Sequence, residues 1–300
     1  MASLDAGIND AVGWAGAGQD SDGFWCGMLE SNACMEAEWL LAFYIMGYDY
    51  DHEEDLIRGI LHRQRPDGAW ETYYNAPSGD INATVESYAA LRATGMSADA
   101  EPLVRARTWI EQHGGLRHIR VFTRIWLALI GEWPWQAIPN LPPELIRLPL
   151  WTPFNIYHFA SWARATMVPL TVLSARRHVV PLSARRRLDE LFPQGRDNFD
   201  YRLARRGKAL SWYGFFHAAD RVLHAVQNIR LTPGRESAIK RCLEWVVAHQ
   251  DADGAWGGIQ PPWIYSLMAL RAEGYELTHP VITELQRGDE SAAFLEADDH

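Results

Sequence analysis

The segment Gln250-Asp251-Ala252-Asp253-Gly254-Ala255-Trp256 carries the pattern that decides the fold. The same spacing of glutamine, glycine and tryptophan, Q-x3-G-x-W, recurs at Gln64/Gly68/Trp70 and at Gln19/Gly23/Trp25. A single copy would be explained as a chance turn, but three copies in one chain indicate an internal repeat. Each copy follows an apolar-striped segment and precedes a second apolar one, an order typical of stacked helix pairs.

The residue types suggest how each copy works. Before Gln250, apolar residues from Ala238 to Val247 recur with helical spacing, and an Asp-Gly pair then supplies a turn. The glutamine amide can bond backbone groups left open at helix ends, and the tryptophan can cover the junction with a large apolar face. We therefore interpret the motif as a clasp between one helix pair and the next.

The composition favours a helical protein with a large core and argues against several other classes. The 300 residues are 48% hydrophobic and include 14 tryptophans, whereas the net charge of −10 argues against nucleic-acid binding. Cys26, Cys34 and Cys242 have neither disulfide-framework nor zinc-ligand spacing, which favours a reducing compartment. The N-terminus lacks signal-peptide features, and no apolar run approaches the ~20 residues of a membrane span. A cytoplasmic location is expected.

Two kinds of helical segment alternate along the chain. Residues 4–17 predict a short first helix. Mostly apolar segments predict buried helices at 35–47, 82–94, 121–131, 156–174, 208–227 and 262–273. Amphipathic segments predict half-buried helices at 52–64, 102–112, 184–192 and 236–249. This alternation predicts an all-α fold, an α/α toroid, with a single domain over 1–283 and an acidic tail over 284–300.

Longer motifs match a known family along almost the whole chain. They are Ser31-Asn32…Met35-Glu36-Ala37-Glu38, Ala83-Thr84-Val85-Glu86-Ser87-Tyr88, Arg120-Val121-Phe122-Thr123-Arg124-Ile125-Trp126, Gly131-Glu132-Trp133-Pro134-Trp135, Ser161-Trp162-Ala163-Arg164-Ala165-Thr166 and Gly257-Gly258-Ile259-Gln260-Pro261-Pro262-Trp263. With them the chain resembles the N-terminal half of the squalene–hopene cyclases, which are class II triterpene cyclases. The resemblance implies one of two α/α barrels around an apolar cavity, and a polyprene substrate such as squalene.

One departure from that family concerns the proton donor. The family's catalytic acid lies in a D-x-D-D-T-A motif of the second half, and this sequence contains no such motif. Asp49-Tyr50-Asp51-His52 lacks the third acid, and Glu296-Ala297-Asp298-Asp299-His300 lacks the Thr-Ala continuation. Protonating an alkene requires a desolvated, strongly acidic carboxyl group, so no catalytic residue is assigned in this chain.

The resemblance assigns several residues to substrate contact. Trp162 matches a cavity tryptophan, whose indole face can stabilise a carbocation, although a core tryptophan is an equal alternative. Ile259, Gln260 and Pro261 match a strip that touches substrate or guards its access, and a structural turn between helices is the alternative.

Two carboxylates on apolar segments form a second group. The resemblance places Glu38, Glu86 and Arg120 in a polar network near the cavity. A purely structural buried ion network, with Arg124 or Arg164 as further partners, explains the same residues, because a buried carboxylate is costly unless it is paired.

A third group concerns an apolar channel and a membrane surface. Phe159 and Met167 match residues at the family's entry channel, while Trp212, Phe215 and Phe216 match part of its membrane-dipping surface. Arg and Lys outnumber Asp and Glu between Arg176 and Lys208, which suits an anionic lipid surface. Packing of this aromatic patch against a second barrel or the core is the alternative.

Other classes fit less well, and three interpretations stay open. Prenyltransferase β-subunits share the toroid but need an Asp/Cys/His zinc site, for which Cys242 has no suitable neighbours, and class I terpene synthases need a D-D-x-x-D motif that is missing. We therefore expect no metal and no cofactor.

The first interpretation is a cyclase barrel that needs a C-terminal half. The second is a non-catalytic isoprenoid-binding or membrane-associated scaffold, peripheral to the cytoplasmic membrane face, and the third is a gene fragment without function.

Overall fold

The protein is described here from a computed structural model. The described residues are 4–19, 21, 23, 25, 32–152, 155–202, 220–221, 223–225, 234–252 and 254–283. Within these ranges the secondary structure consists of helices and turns, without a β-strand. The chain forms two compact units, residues 1–31 and 32–300. That 1–283 forms one domain stays a prediction, and the tail 284–300 lies outside the described residues.

The first unit contains helix α1, Leu4–Ala17, as the sequence predicts. No residue of α1 is buried, and the apolar side chains of Leu4, Ile8, Val12 and Trp14 are exposed.

The second unit is built from helices of two kinds. They are α2 (Cys34–Met46), α3 (Glu53–His62), α4 (Ile81–Thr94), α5 (Glu101–Gln112), α6 (Val121–Leu129), α7 (Ser161–Arg176), α8 (Arg235–Ala248) and α9 (Gln260–Ala272). Helices α2, α4, α6, α7 and α9 are buried over much of their length, whereas α3, α5 and α8 bury one stripe each. The predicted alternation of buried and half-buried helices is therefore confirmed for these helices.

Contacts at both ends of α2 and α9, and at the C-terminal end of α7, show that these three buried helices run parallel. The Gln260 Nε2 atom at the start of α9 donates to the Met35 carbonyl at the start of α2, at 2.8 Å. At the other end, the Arg271 guanidinium of α9 approaches the Met46 carbonyl of α2 at 3.3 and 3.4 Å. Arg176, the last residue of α7, pairs at 2.5 Å with Glu273, which directly follows α9. The N-terminal ends of α2, α7 and α9 thus lie at one end of the unit.

The three Q-x3-G-x-W copies make the same two hydrogen bonds. In each copy the glutamine Nε2 donates to the carbonyl of the glycine four residues later, at 2.8–2.9 Å. The tryptophan Nε1 donates to a carbonyl ten residues earlier, at 2.6–2.8 Å; these acceptors are Ala15, Ile60 and Val246. We call this arrangement the clasp, because it ties the end of one helix to the turn that follows.

Two clasps also bond the segment that follows the next helix along the chain, which is α5 after α4 for Gln64 and Val281 after α9 for Gln250. Gln64 Nε2 donates to the Pro102 carbonyl at the start of α5, and the Arg105 side chain of α5 donates to Gln64 Oε1 at 2.6 Å. Gln250 Nε2 donates to the Val281 carbonyl at 2.9 Å. Gly68 is required in this arrangement, since its φ is +92° and a Cβ there would lie 2.7 Å from the Arg105 backbone.

Two segments differ from the prediction. Helix α7 begins at Ser161 rather than at 156, because the Asn155 side chain accepts from the Tyr157 amide and holds 156–158 as a separate 3-10 turn. Residues 184–192 form turns and a 3-10 helix, Asp189–Leu191, instead of an α-helix. There the buried Arg92 side chain donates to the backbone carbonyls of Arg185 and Arg187. These carbonyls therefore take part in a tertiary contact instead of in helical hydrogen bonds. The prediction for 208–227 lies outside the described residues except at 220–221 and 223–225.

Candidate functional site

The carboxylate of Glu86 is the centre of a polar cluster near the start of α4 and α6. Glu86 is 1% exposed. The Arg120 Nη2 atom donates to both of its carboxylate oxygens at 3.3 Å, and the Thr123 hydroxyl donates to Oε1 at 2.5 Å. A buried carboxylate needs such partners, since leaving it unpaired would cost several kcal/mol, on the order of 3–5.

Asn82 completes this cluster from one turn before Glu86 on α4. Its Oδ1 atom accepts from the backbone amide of Arg120 at 2.7 Å and lies 3.2 Å from the Thr123 hydroxyl oxygen, whose proton the closer Glu86 accepts. Arg120 is the N-cap of α6, so Asn82 supplies an acceptor for an amide that the helix itself leaves open. Sequence reasoning missed Asn82 and Thr123, although the i, i+4 spacing of Asn82 and Glu86 could have indicated them.

Glu38, on α2, adds a second buried carboxyl group. Burial and then the neighbouring charge of Glu86 raise the pKa of Glu38 from 4.5 to about 8. The indole N–H of Trp126 and the charge of Arg120 lower this pKa again in part. The Trp126 N–H nevertheless meets no acceptor at full hydrogen-bond geometry. At neutral pH the cluster thus contains a protonated Glu38 beside the Arg120–Glu86 pair.

Two further titratable groups near these carboxylates stay neutral. Burial is the main cause that raises the pKa of the Cys34 thiol, and the charges of Glu86 and Glu38 add to it. Burial likewise raises the pKa of Tyr265, whose ring stacks on Trp126 with centroids 5.5 Å apart. A protonated thiol is a poor nucleophile, so the cluster is suited to holding a proton and donating hydrogen bonds rather than to covalent catalysis.

The strip Ile259–Pro261 lies at the start of α9, at the same end of the unit as Met35. Gln260 is buried, and its Nε2 atom bonds the Met35 carbonyl, while its Oε1 atom has no hydrogen-bond partner. Ile259 is exposed and Pro261 is partly exposed. A buried, unpartnered amide oxygen is costly, on the order of 1–3 kcal/mol, so Gln260 is held in place by the bond of its Nε2 atom to Met35.

The predicted channel and cavity residues lie near the start of α7. Trp162 is 58% exposed and Phe159 is exposed, whereas Met167 is half-buried. A Cβ on Gly257, two residues before Ile259, would lie 3.9 Å from the Ala165 Cβ atom, so the N-terminal part of α7 adjoins the approach to α9. Trp162 and Ile259 are thus apolar side chains exposed at neighbouring helix starts.

The structure does not bring all predicted residues into one group. Arg124 and Arg164 do not pair with the buried carboxylates, since Arg124 bonds the Ile119 and Arg117 carbonyls and Arg164 bonds the Phe159 carbonyl. Trp212, Phe215 and Phe216 lie outside the described residues. Whether the named residues contact a substrate stays a prediction.

Two features of the described residues concern metals and membranes. Within them, no group of three or more His, Cys, Asp and Glu side chains is arranged to hold a metal ion. None of the described helices combines the length and the apolarity that crossing a bilayer requires.

Comparison with known proteins gives consistent matches. The model of the squalene-hopene cyclase N-terminal domain matches residues 8–297. The chain is 43% identical over 265 residues to a squalene–hopene cyclase of Alicyclobacillus acidocaldarius, covering 88% of this chain and 41% of that protein. It is 35% identical to a squalene–hopene cyclase of Zymomonas mobilis (93% and 42% covered) and 32% identical to a dammaradiene synthase of Dryopteris crassirhizoma (93% and 41% covered).

These matches decide the family and the fold class. The chain spans about two fifths of the length of these curated relatives. The described residues are helical without strands, and the matching domain is an α/α toroid, so the predicted fold class is confirmed. The resemblance stated from the sequence is confirmed as well, and the chain belongs to the squalene–hopene cyclase N-terminal domain family.

Proposed function

We propose that this chain forms the N-terminal barrel of a squalene–hopene-type cyclase and shapes one side of the cavity that holds a polyprene such as squalene. The observation that carries the proposal is the pair of exposed apolar side chains, Trp162 and Ile259, at the starts of the parallel helices α7 and α9. Large exposed apolar groups that lie together mark a surface for an apolar ligand or partner. The indole of Trp162 would stabilise a developing cation.

The proton donor would come from a further part of the enzyme, in the same polypeptide or in another chain. The relatives are more than twice as long as the part that this chain matches. The first unit supports the same idea, because Leu4, Ile8 and Val12 form an exposed i, i+4, i+8 stripe on α1. Trp25 is 58% exposed, whereas the clasp tryptophans Trp70 and Trp256 are 0% and 1% exposed. A stripe of this kind is suited to packing against a second apolar surface.

The buried cluster of Glu38, Glu86 and Arg120 would contribute to the chemistry of the cavity without contacting the reacting double bond as an acid. A protonated Glu38 and the Arg120–Glu86 pair provide a fixed arrangement of hydrogen bonds and charge. Such a preorganised group can orient water or receive a proton when the carbocation is quenched, without being the acid that starts the reaction.

The test combines two preparations and one product assay. Squalene is incubated with this chain alone, and then with this chain plus a C-terminal half that carries D-x-D-D-T-A, followed by gas chromatography. We expect cyclised product only from the combination, and Trp162→Ala should lower its yield more than Trp162→Phe. Product from the isolated chain would show that the proton donor lies within it and would contradict the proposal.

The second candidate is a non-catalytic isoprenoid-binding or membrane-associated scaffold. It is favoured by Leu150 and Trp151, which are 68% and 83% exposed in a turn before α7. Tryptophan is enriched where proteins meet the membrane interface. The discriminating measurement is co-sedimentation with liposomes, which this candidate predicts to be lost in Trp212→Glu plus Phe215→Glu. Failure to bind either liposomes or squalene would count against it.

A further inference from the structure

A basic cleft lies between α8 and the 3-10 helix Pro143–Arg147, away from the buried carboxylates. Its volume is about 500 Å³, and its lining consists of Arg147, Ser237, Lys240, Arg241 and Glu244. Three of these side chains are cationic and one is anionic. The local excess of positive charge contrasts with the net charge of −10 of the whole chain.

The two arginines of this cleft lack carboxylate partners among the described residues. Arg147 donates a hydrogen bond to the Ser237 hydroxyl, and Arg241 makes no ion pair or hydrogen bond with the described part of the chain. Lys240 lies 4.0 Å from Glu244, both largely exposed, so this pair is weak. The cleft therefore has cationic donors that are not neutralised within the described structure.

The walls of the cleft are tied together. Arg235, at the start of α8, pairs with Glu144 of the 3-10 helix at 3.0 Å. The Arg147 guanidinium packs against the backbone at Gly234, where a Cβ would lie 3.0 Å from Nη1 and where φ is +84°. Glycine thus allows the arginine to approach the N-cap of α8, and the hydrogen bond to Ser237 orients it. A guanidinium held in this way is preorganised for a planar or tetrahedral oxyanion.

We propose that this cleft binds a phosphate-type anion, a phosphomonoester or phosphodiester, through Arg147, Lys240 and Arg241, with the Ser237 hydroxyl as a further ligand. Phosphate oxygens accept several charge-assisted hydrogen bonds at once, which matches two arginines and one lysine around one space. Glu244 faces the same space and opposes the anion. The proposal concerns other residues than the Glu86 cluster and does not rest on the cyclase function proposed above.

The exposed pair Leu150–Trp151 bears on the source of the phosphate. Trp151 follows Arg147 by four residues, so at most about 14 Å of chain separates them. An exposed tryptophan next to a cationic cleft is the arrangement that binds the interface of an anionic membrane. A lipid headgroup and a free phosphate compound share the required chemistry, and the experiment separates them.

The experiment uses the whole chain and two probes, inorganic pyrophosphate measured by titration calorimetry and vesicles of phosphatidylcholine with or without phosphatidylglycerol. The test variants are Lys240→Gln, Arg241→Gln and Glu244→Gln, which lie on the exposed side of α8, and Trp151→Ala. Arg58→Gln, an exposed cation on α3, is the matched control. Circular dichroism melting confirms that each variant is folded.

We expect Lys240→Gln and Arg241→Gln each to raise the Kd about tenfold and Glu244→Gln to lower it several-fold, with Arg58→Gln unchanged. The site is assigned to a lipid headgroup if the protein binds vesicles that contain phosphatidylglycerol and if Trp151→Ala abolishes this binding while pyrophosphate binding is retained. Pyrophosphate binding without preference for anionic vesicles assigns it to a free phosphate compound. Absence of saturable binding to both probes, or equal weakening by Arg58→Gln, overturns the proposal.

Discussion

The Arg120 guanidinium lies 3.3 Å from each carboxylate oxygen of Glu86, and the Arg120 side chain is 48% exposed whereas that of Glu86 is fully buried. A half-exposed cation thus covers a carboxylate that water does not reach. The pair joins α4 to the start of α6 across 34 residues of sequence.

The two partners of this pair should be energetically coupled. We expect Arg120→Met to lower the free energy of unfolding by about 1–3 kcal/mol, because Glu86 keeps only Thr123 and its burial cost is no longer offset. The double variant Arg120→Met plus Glu86→Gln should lose less than the sum of the single variants. Urea unfolding of all four proteins gives the coupling energy, and strict additivity would contradict the pairing.

Glu38 should make stability depend on pH. Its pKa is about 8 in the folded protein and 4.5 is its ordinary value, so between these values the folded state keeps a proton that the unfolded chain releases. The contribution of Glu38 to the free energy of unfolding should therefore be highest below pH 4.5. It should fall by roughly 2–4 kcal/mol as the pH rises toward 8. Denaturant titrations from pH 5 to 8.5 measure this slope.

Glu38→Gln is the variant that tests the assignment. A neutral amide cannot ionise, so the variant should have a flatter pH profile and should be more stable than the parent protein at pH 8. Glu54→Gln, on the exposed side of α3, is the control and should leave the slope unchanged. An unaltered slope in Glu38→Gln would show that other groups cause the dependence.

Two of the clasp glutamines, Gln64 and Gln19, should contribute differently to the free energy of unfolding. Gln64 makes three hydrogen bonds, with Gly68, Pro102 and Arg105. Gln64→Ala should therefore lower the free energy of unfolding by about 2–3 kcal/mol. Gln19 is exposed and bonds Gly23, so Gln19→Ala should cost under about 1 kcal/mol. Thermal melts of both variants test the order, and an equal loss in both would mean that the long-range bonds of Gln64 add nothing.

Gly68→Ala should destabilise the protein through backbone strain and a clash with Arg105. The φ of +92° and the 2.7 Å approach together predict a loss of about 2–4 kcal/mol. Gly59→Ala is the matched control, because Gly59 lies within α3, where a Cβ meets ordinary van der Waals contact and alanine favours the helix by about 0.5–1 kcal/mol. Opposite signs for the two variants in chemical unfolding would support this account, and similar losses would refute it.

Replacing the exposed Trp162 should cost much less stability than replacing the buried Trp126. Trp126 is 1% exposed, so Trp126→Ala should cost about 3–5 kcal/mol, whereas Trp162→Ala should change stability by less than about 1 kcal/mol. Unfolding curves settle the comparison. A large loss for Trp162→Ala would favour the core tryptophan that the sequence left as an alternative.

Helix positions were predictable where local signals were strong. The start of α4 follows Asp80, whose carboxylate accepts from the Asn82 and Ala83 amides, and its end precedes Gly95 in the left-handed region. The first turn of α7 was misplaced because a contact of Asn155 competes with the apolar periodicity. The segment 184–192 was wrong because the side chain of Arg92, from a distant helix, binds its carbonyls.

The candidate site was predictable where the residue type itself was unusual for its surroundings. Glu38 and Glu86 are carboxylates on apolar helices, which indicates a polar cluster without any structure. Asn82 and Thr123 were missed because uncharged polar residues near helix starts are ordinary capping residues, and only the folded arrangement shows that they serve Glu86 and Arg120. The exposure of Trp162 depends on which helices adjoin it, so no local pattern predicts it.

The clasps have a consequence for the order in which this chain folds. Each tryptophan bond spans ten residues, so a clasp can close as soon as its own helix has emerged from the ribosome. The bond between Gln260 and Met35 spans 225 residues and must wait for nearly the whole sequence. During synthesis the clasps should therefore form first, and the packing of α9 against α2 should be the last and slowest folding step. A chain that stalls before this step would leave the apolar sides of both helices exposed and would be prone to aggregate.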